Sequence, residues 1–217
     1  MSTIDLTAIQ NYTYAIYNSD RSGHGLDHIN RVVSLCQRII ADTKAEGMNP
    51  RVILIAAYVH DVIDPKVVAD PVQARNDLEK FLHTQALTGA EITEILHIIS
   101  NMSFSKNLIT HQPLSINGQI VQDADRLDAI GAIGIGRAFY YGGKFGDDLY
   151  DPARAPRDFT NENDYREHST VINHFHEKLF KLTDSLNTQA AKRIGELRNK
   201  RMCVFVEQFI AEWNGEP

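Results

Sequence analysis

Residues 50–65, PRVILIAAYVHDVIDP, decide the reading of this chain. Asn49-Pro50 is an N-cap followed by proline at the first helical position, where the missing N–H is no loss. From Val52 to Asp64 apolar side chains occupy nearly every face of a helical projection, the pattern of a central buried helix. Pro65 is expected to end that helix. His60 and Asp61 lie near its end. An Asp in an apolar helix is costly unless paired or metal-bound, so the pair His60-Asp61 is marked for chemistry.

Outward from this segment the periodicity stays near 3.6. Residues 26–45 place Ile29, Val32, Val33, Cys36, Ile39 and Ile40 on one face, with Gly47 as a stop. Asp70-Pro71 repeats the start signal for a helix to about Ala86. Thr88 with Glu91 makes a capping box ahead of Ile92, Ile95, Leu96 and Ile99. Residues 101–117 are polar and irregular. One helix is predicted from about Gly118 to Tyr141, with Gly131, Gly134 and Gly136 permitting close helix approach. The stretch GGKFGDDLYDPARAPRDFTNENDY is the longest irregular segment, and two amphipathic helices follow near 165–184 and 188–213. The expectation is an all-α fold, an orthogonal helical bundle, in one domain spanning residues 1–217.

The chemistry rests on three helices. HGLDHINRV supplies His24 and His28, one turn apart. HD supplies His60 and Asp61. QDADRLDAIG supplies Asp123, Asp125 and Asp128. Two imidazoles with carboxylates suit a divalent metal such as Mn, Fe, Ni, Zn or Co, and less readily Mg. Asp64, four residues after His60 and three after Asp61, would share their helical face and is placed to act as a general base.

The order His…His-Asp…Asp resembles the HD-domain metal-dependent phosphohydrolases, in their compact stand-alone bacterial form, over about residues 20–213. A family pattern like HDxxHxxRV matches HGLDHINRV with His28 in the ligand position, although Gly25 stands where an Asp is common. The resemblance aligns DADRL with the segment whose Asp completes the metal site, which selects Asp125. The implied ligand set is His28, His60, Asp61 and Asp125. His24 becomes a group behind the ligands or facing substrate, and the next candidate base. Asp123 is expected to be solvated or capping, and Asp128 to orient a ligand. In HD-type hydrolases of ppGpp, HDVxED carries a Glu where this chain has Asp64; here Pro65 follows in place of a second acid. An NHFxEKL-like segment, NHFHEKL, implies that His174 and Lys178 line the pocket on one helical face.

Arg31, Lys66, Arg126 and Lys178 are candidate phosphate contacts, with Arg137 a weaker one. Arg154 and Arg157 are expected to be solvated loop residues. His97 is expected either to line the pocket or to sit in the core. The implied reaction is hydrolysis of a phosphate ester or anhydride, in a nucleotide, by metal-activated water.

Composition bounds the alternatives. A formal net charge of −6 argues against a broad nucleic-acid surface but not against a small phosphorylated substrate. No run of about 18 apolar residues marks a membrane span. MSTIDLTAIQNYTYAIY has no signal-peptide pattern, so a cytoplasmic location is expected. Cys36 and Cys203 are expected in the core. GxxxxGK[ST], GxSxG and CxxC are absent from the sequence. Two other readings stay open: an HD-fold di-iron oxygenase, drawing on His83, His97 and His111, and a non-catalytic metal-stabilised binding module. A homodimer is also open.

Overall fold

The structure, a computed structural model, describes residues 6–17, 25–65, 67–104, 107, 112–158 and 169–216. His24, Lys66 and His111 lie outside the described residues. Among the described residues there are nine helices and no strand, which bears out the all-α expectation. The chain divides into two compact units, Met1–Ala124 and Asp125–Pro217.

The first unit is built around the expected central helix. Its helices are α1 (Thr7–Tyr17), α2 (Leu26–Asp42), α3 (Pro50–Val59), α4 (Pro71–His83), α5 (Gly89–Asn101) and the greater part of α6 (Ile116–Asp128). Every residue of α3 from Val52 to Val59 is buried, and the helix packs on α1, α2 and α5. Fully burying each large aliphatic side chain contributes about 1.5–3 kcal/mol. The start signals hold. Asn49 Oδ1 accepts from Arg51 N and Val52 N. Asp70 Oδ1 does the same for Val72 N and Gln73 N. Thr88 and Glu91 form both halves of the capping box.

Three ends differ from expectation. α2 stops at Asp42 and α4 at His83. More consequentially, α3 stops at Val59, not at Pro65. His60 is its C-cap, and the chain tightens into turns in which Val62 N bonds Val59 O (3.2 Å) and Asp64 N bonds Asp61 O (2.9 Å). The His-Asp pair therefore follows the helix rather than lying within it.

The second unit holds the last residues of α6, then α7 (Gly131–Phe145), α8 and α9 (Gln189–Trp213). α8 covers 171–184 as Val171–His174, a π-helical turn Phe175–Leu179, and Phe180–Asp184. The single helix predicted from Gly118 to Tyr141 is in fact two. Ile130 is extended and Gly131 has φ +77°, a left-handed conformation that L side chains rarely adopt. A Cβ on Gly131 would also stand 2.9 Å from Cγ of Arg198. α7 packs against α9, and so does the end of α8.

Two burial expectations are overturned. Asp123 is 0% exposed rather than solvated. Cys36 is buried as expected, but Cys203 is exposed, because α9 leaves that side of its last turns to solvent.

Candidate metal centre

The centre begins with the end of α3. Once that helix stops, His60 turns its ring back, and Nδ1 lies 2.8 Å from the carbonyl of Ala57. A carbonyl only accepts, so Nδ1 carries the proton and Nε2 is left with a lone pair. This is the tautomer a metal ligand needs, fixed by a main-chain partner. His28, from the first turn of α2, brings its Nε2 to 3.2 Å from His60 Nε2. Asp61 Oδ2 lies 3.3 Å from His60 Nε2 and 3.6 Å from His28 Nε2. Both imidazoles are buried, and the Asp61 side chain is 18% exposed. Burial pushes the Asp61 carboxyl up, but when His60 takes a second proton on Nε2 in place of a metal, its charge and the hydrogen bonds from His28 and His60 outweigh that burial. The carboxyl is held well below the usual carboxylate range.

The fit to a metal can be tested on these distances. Ligands about 2.1 Å from one ion are about 3.0 Å apart when cis in an octahedron and about 3.4 Å apart in a tetrahedron. The three separations, 3.2, 3.3 and 3.6 Å, bracket the tetrahedral value to within about 0.2 Å and lie above the octahedral one. Asp125 is the first residue past Ala124 on the unbroken α6, and it offers a carboxylate oxygen to the same pair. Ligand atoms of His28, His60 and Asp125 lie within 4.8 Å of one another.

The remaining candidates divide. Asp64 is half-buried, one tight turn after Asp61, its N–H bonded to the Asp61 carbonyl. Since α3 has ended, its closeness to the pair comes from that turn and not from a shared helical face. Arg31 ion-pairs with Asp27 at 2.7 Å. His97 is exposed on α5, 3.4 Å from the Pro113 carbonyl and hydrogen-bonded to Asn101, so the core reading fails for it. His83 is exposed as well.

In the second unit Arg126 is buried and donates to the Ser185 carbonyl, a structural tie. Asp128, 1% exposed, faces Arg137 at 3.5 Å. His174 and Lys178 are half-buried, the first just before the π-helical turn Phe175–Leu179 and the second within it. Arg154 is exposed and pairs with Asp148 and Asp151, as a loop residue. Arg157 corrects the expectation. It is half-buried and binds Glu177, which is 1% exposed. Glu177 was overlooked in the sequence. In the sequence it stands between His176 and Lys178 as an ordinary helix acid, and only its burial against Arg157 sets it apart.

An all-helical fold with two buried imidazoles and a carboxylate gathered at one helix end defines a metal-binding helical protein. The HD domain family profile matches residues 25–130. The Bacillus subtilis protein YpgQ is 34% identical over 204 residues, covering 92% of this chain and 89% of its own. The chain belongs to the HD-domain family, among the stand-alone HD-superfamily hydrolases.

Solved structures agree. A Lactobacillus plantarum protein superposes with TM-score 0.87 at 48% identity, over 99% of this chain and 100% of its own. An HD-superfamily hydrolase of Bacillus thuringiensis gives 0.74 at 38% identity, over 96% of each. YpgQ in complex with ADP gives 0.73 at 32% identity, over 94% of this chain and 92% of its own. No helix among the described residues is long and apolar enough to cross a membrane.

Proposed function

We propose that the protein hydrolyses a phosphate ester or anhydride bond of a nucleotide, using a divalent ion held by His28, His60, Asp61 and Asp125. The observation that carries this reading is the His28–His60–Asp61 trio, with separations of 3.2–3.6 Å and the His60 tautomer set by Ala57. The ADP bound to YpgQ supports a nucleotide as the ligand class. A bound divalent ion would supply Lewis acidity toward phosphate oxygens and lower the pKa of a coordinated water to about 7.

The chain's own residues do the rest. His60 keeps its Nε2 lone pair turned to the site, because Nδ1 is spent on Ala57. Asp61 keeps its carboxyl ionised beside both rings. Asp64 takes or orients the proton of the attacking water, with His24 the next candidate. Lys66, Arg31 and Lys178 are cations for the phosphate, and His174 lines the pocket. Asp128 and Arg126 steady α6 at the ligand Asp125, the first through Arg137 and the second through Ser185. His97 is retained as an outer contact only. This reading takes residues 1–217 as one catalytic domain.

The test is a panel of nucleoside mono-, di- and triphosphates and alarmones. Each is assayed with Mn, Ni, Fe, Zn, Co and Mg, with products identified. Release of phosphate or pyrophosphate from one nucleotide class, lost in His60→Ala, is the expected result. Metal binding without turnover of any member would refute it. A redox-active di-iron signature with an oxidised product would point to the oxygenase instead.

A further inference from the structure

The second unit carries a ladder that the metal centre does not explain. Residues 148–158 run beside α8 in the same direction, bonded to it rung by rung. The carbonyls of Asp148 and Leu149 accept from Val171 N (2.9 Å) and Ile172 N (3.0 Å). Asn173 Nδ2 donates to the Arg154 carbonyl at 3.0 Å. Glu177 Oε1 accepts from Arg157 N (3.0 Å), Arg157 Nε (3.1 Å) and Ser169 Oγ (3.0 Å), and Oε2 lies 3.5 Å from Arg157 Nη2. Lys181 Nζ closes the far end on Asp158 Oδ1 at 2.7 Å.

The three side-chain rungs are Asn173, Glu177 and Lys181, each four residues apart. On a regular α-helix, steps of four drift by about 40° each, so the outer two would diverge by about 80°. The π-helical turn Phe175–Leu179 lies between them. At about 4.4 residues per turn, each of its five residues turns about 18° less, which cancels the drift. The π turn therefore lines up the ladder, and the ladder holds the π turn. Lys178 and His174 each follow a rung by one residue. They are half-buried, whereas Asn173 and Glu177 are 2% and 1% exposed. Both thus sit at the rim of the covered face.

Stability alone does not account for a buried carboxylate held by an arginine, since apolar residues of similar volume often serve as well. We infer that Glu177 is a positioning residue: through Arg157 it holds the π-helical register that presents Lys178 and His174 to the substrate's phosphate. The inference rests on the phosphohydrolase reading above and names the device that orients its anion contacts.

The test titrates ADP, as probe, into Mn-loaded full-length protein by calorimetry, alongside nucleotide turnover. Glu177→Gln keeps the shape and removes the charge. Its ADP Kd should rise about tenfold and kcat/KM fall about 10–100-fold, as expected of a misplaced contact, with Mn retention unchanged. Lys181→Ala, on the exposed outer rung, should change both by less than about twofold. Should Glu177→Gln fail to fold, Arg157→Ala carries the test. It keeps the main-chain N–H to Glu177, and added methylguanidinium should restore part of its ADP affinity.

Unchanged ADP affinity and kinetics in Glu177→Gln, with only a lower Tm, would overturn the inference. So would an Arg157→Ala defect in ADP affinity that methylguanidinium does not relieve. In either case wild-type turnover leaves the phosphohydrolase reading standing. A wild-type protein that turns over no nucleotide removes that reading and the inference with it.

Discussion

Replacing His60 by Ala separates a metal ligand from a merely buried histidine, and the size of the effect can be worked out. His60 is 4% exposed and spends Nδ1 on the Ala57 carbonyl, so the substitution costs stability even without metal. The lost hydrogen bond alone is about 0.5–1.5 kcal/mol. Metal stripping is therefore built into the measurement: wild type and variant are each melted with and without Mn, and the difference is compared. At a metal concentration about 100-fold above Kd, binding stabilises the wild type by about 2.7 kcal/mol. For a chain of 217 residues that is roughly 5–11 °C in Tm, at about 2–4 °C per kcal/mol. Removing one imidazole from a trio spaced 3.2–3.6 Å apart should weaken binding at least about 100-fold, the upper end of what a mere supporting partner is worth. The same metal then stabilises the variant by about 0.4 kcal/mol, or roughly 1 °C. Differential scanning fluorimetry with isothermal titration calorimetry reads both numbers. A full metal-dependent shift in His60→Ala would refute the ligand assignment, whatever happened to the metal-free Tm.

Asp64→Asn should retain metal like wild type but lose turnover by about 10²–10⁴-fold, the usual worth of a general base. Near-wild-type turnover at saturating metal would move the base elsewhere. Metal retention should fall on acidification, because a proton competes for each imidazole lone pair. Asp61, held well below the usual carboxylate range, is still ionised while that loss proceeds. Its share, present above the unfolded-state pKa of about 3.9, goes only as pH drops through its lower folded value. Retention measured by dialysis that stays complete to about pH 4 would contradict histidine ligation. Gly131→Ala should destabilise the protein by about 1–3 kcal/mol, since φ there is +77° and Arg198 Cγ stands 2.9 Å from the new Cβ. Urea denaturation with an unchanged midpoint would argue against the left-handed break between α6 and α7.

Much of the first unit was legible because its signals are local. Asn49-Pro50, Asp70-Pro71 and Thr88 with Glu91 each satisfy helix N-terminal donors within three residues, so the sequence carries both donor and acceptor. The apolar run of α3 implies burial on all sides wherever the chain places it, and residue type and order mark His60-Asp61 for chemistry, while the choice of His28 over His24 and of Asp125 over Asp123 and Asp128 came from the resemblance to the HD-domain family. What tertiary structure decided was where helices stop and which side of each is covered. The end of α3 at Val59 depends on turn hydrogen bonds at His60–Asp64 that compete with continuing the helix, and nothing short of Pro65 announces it. The break at Gly131 depends on the approach of Arg198, 67 residues further along. Glu177 reads as an ordinary helix acid until residues 154–158 fold beside it. The burial of Asp123 and the exposure of Cys203 are likewise set by the surroundings. Periodicity gives the direction of a side chain, but the desolvation it meets there comes from residues distant in the chain.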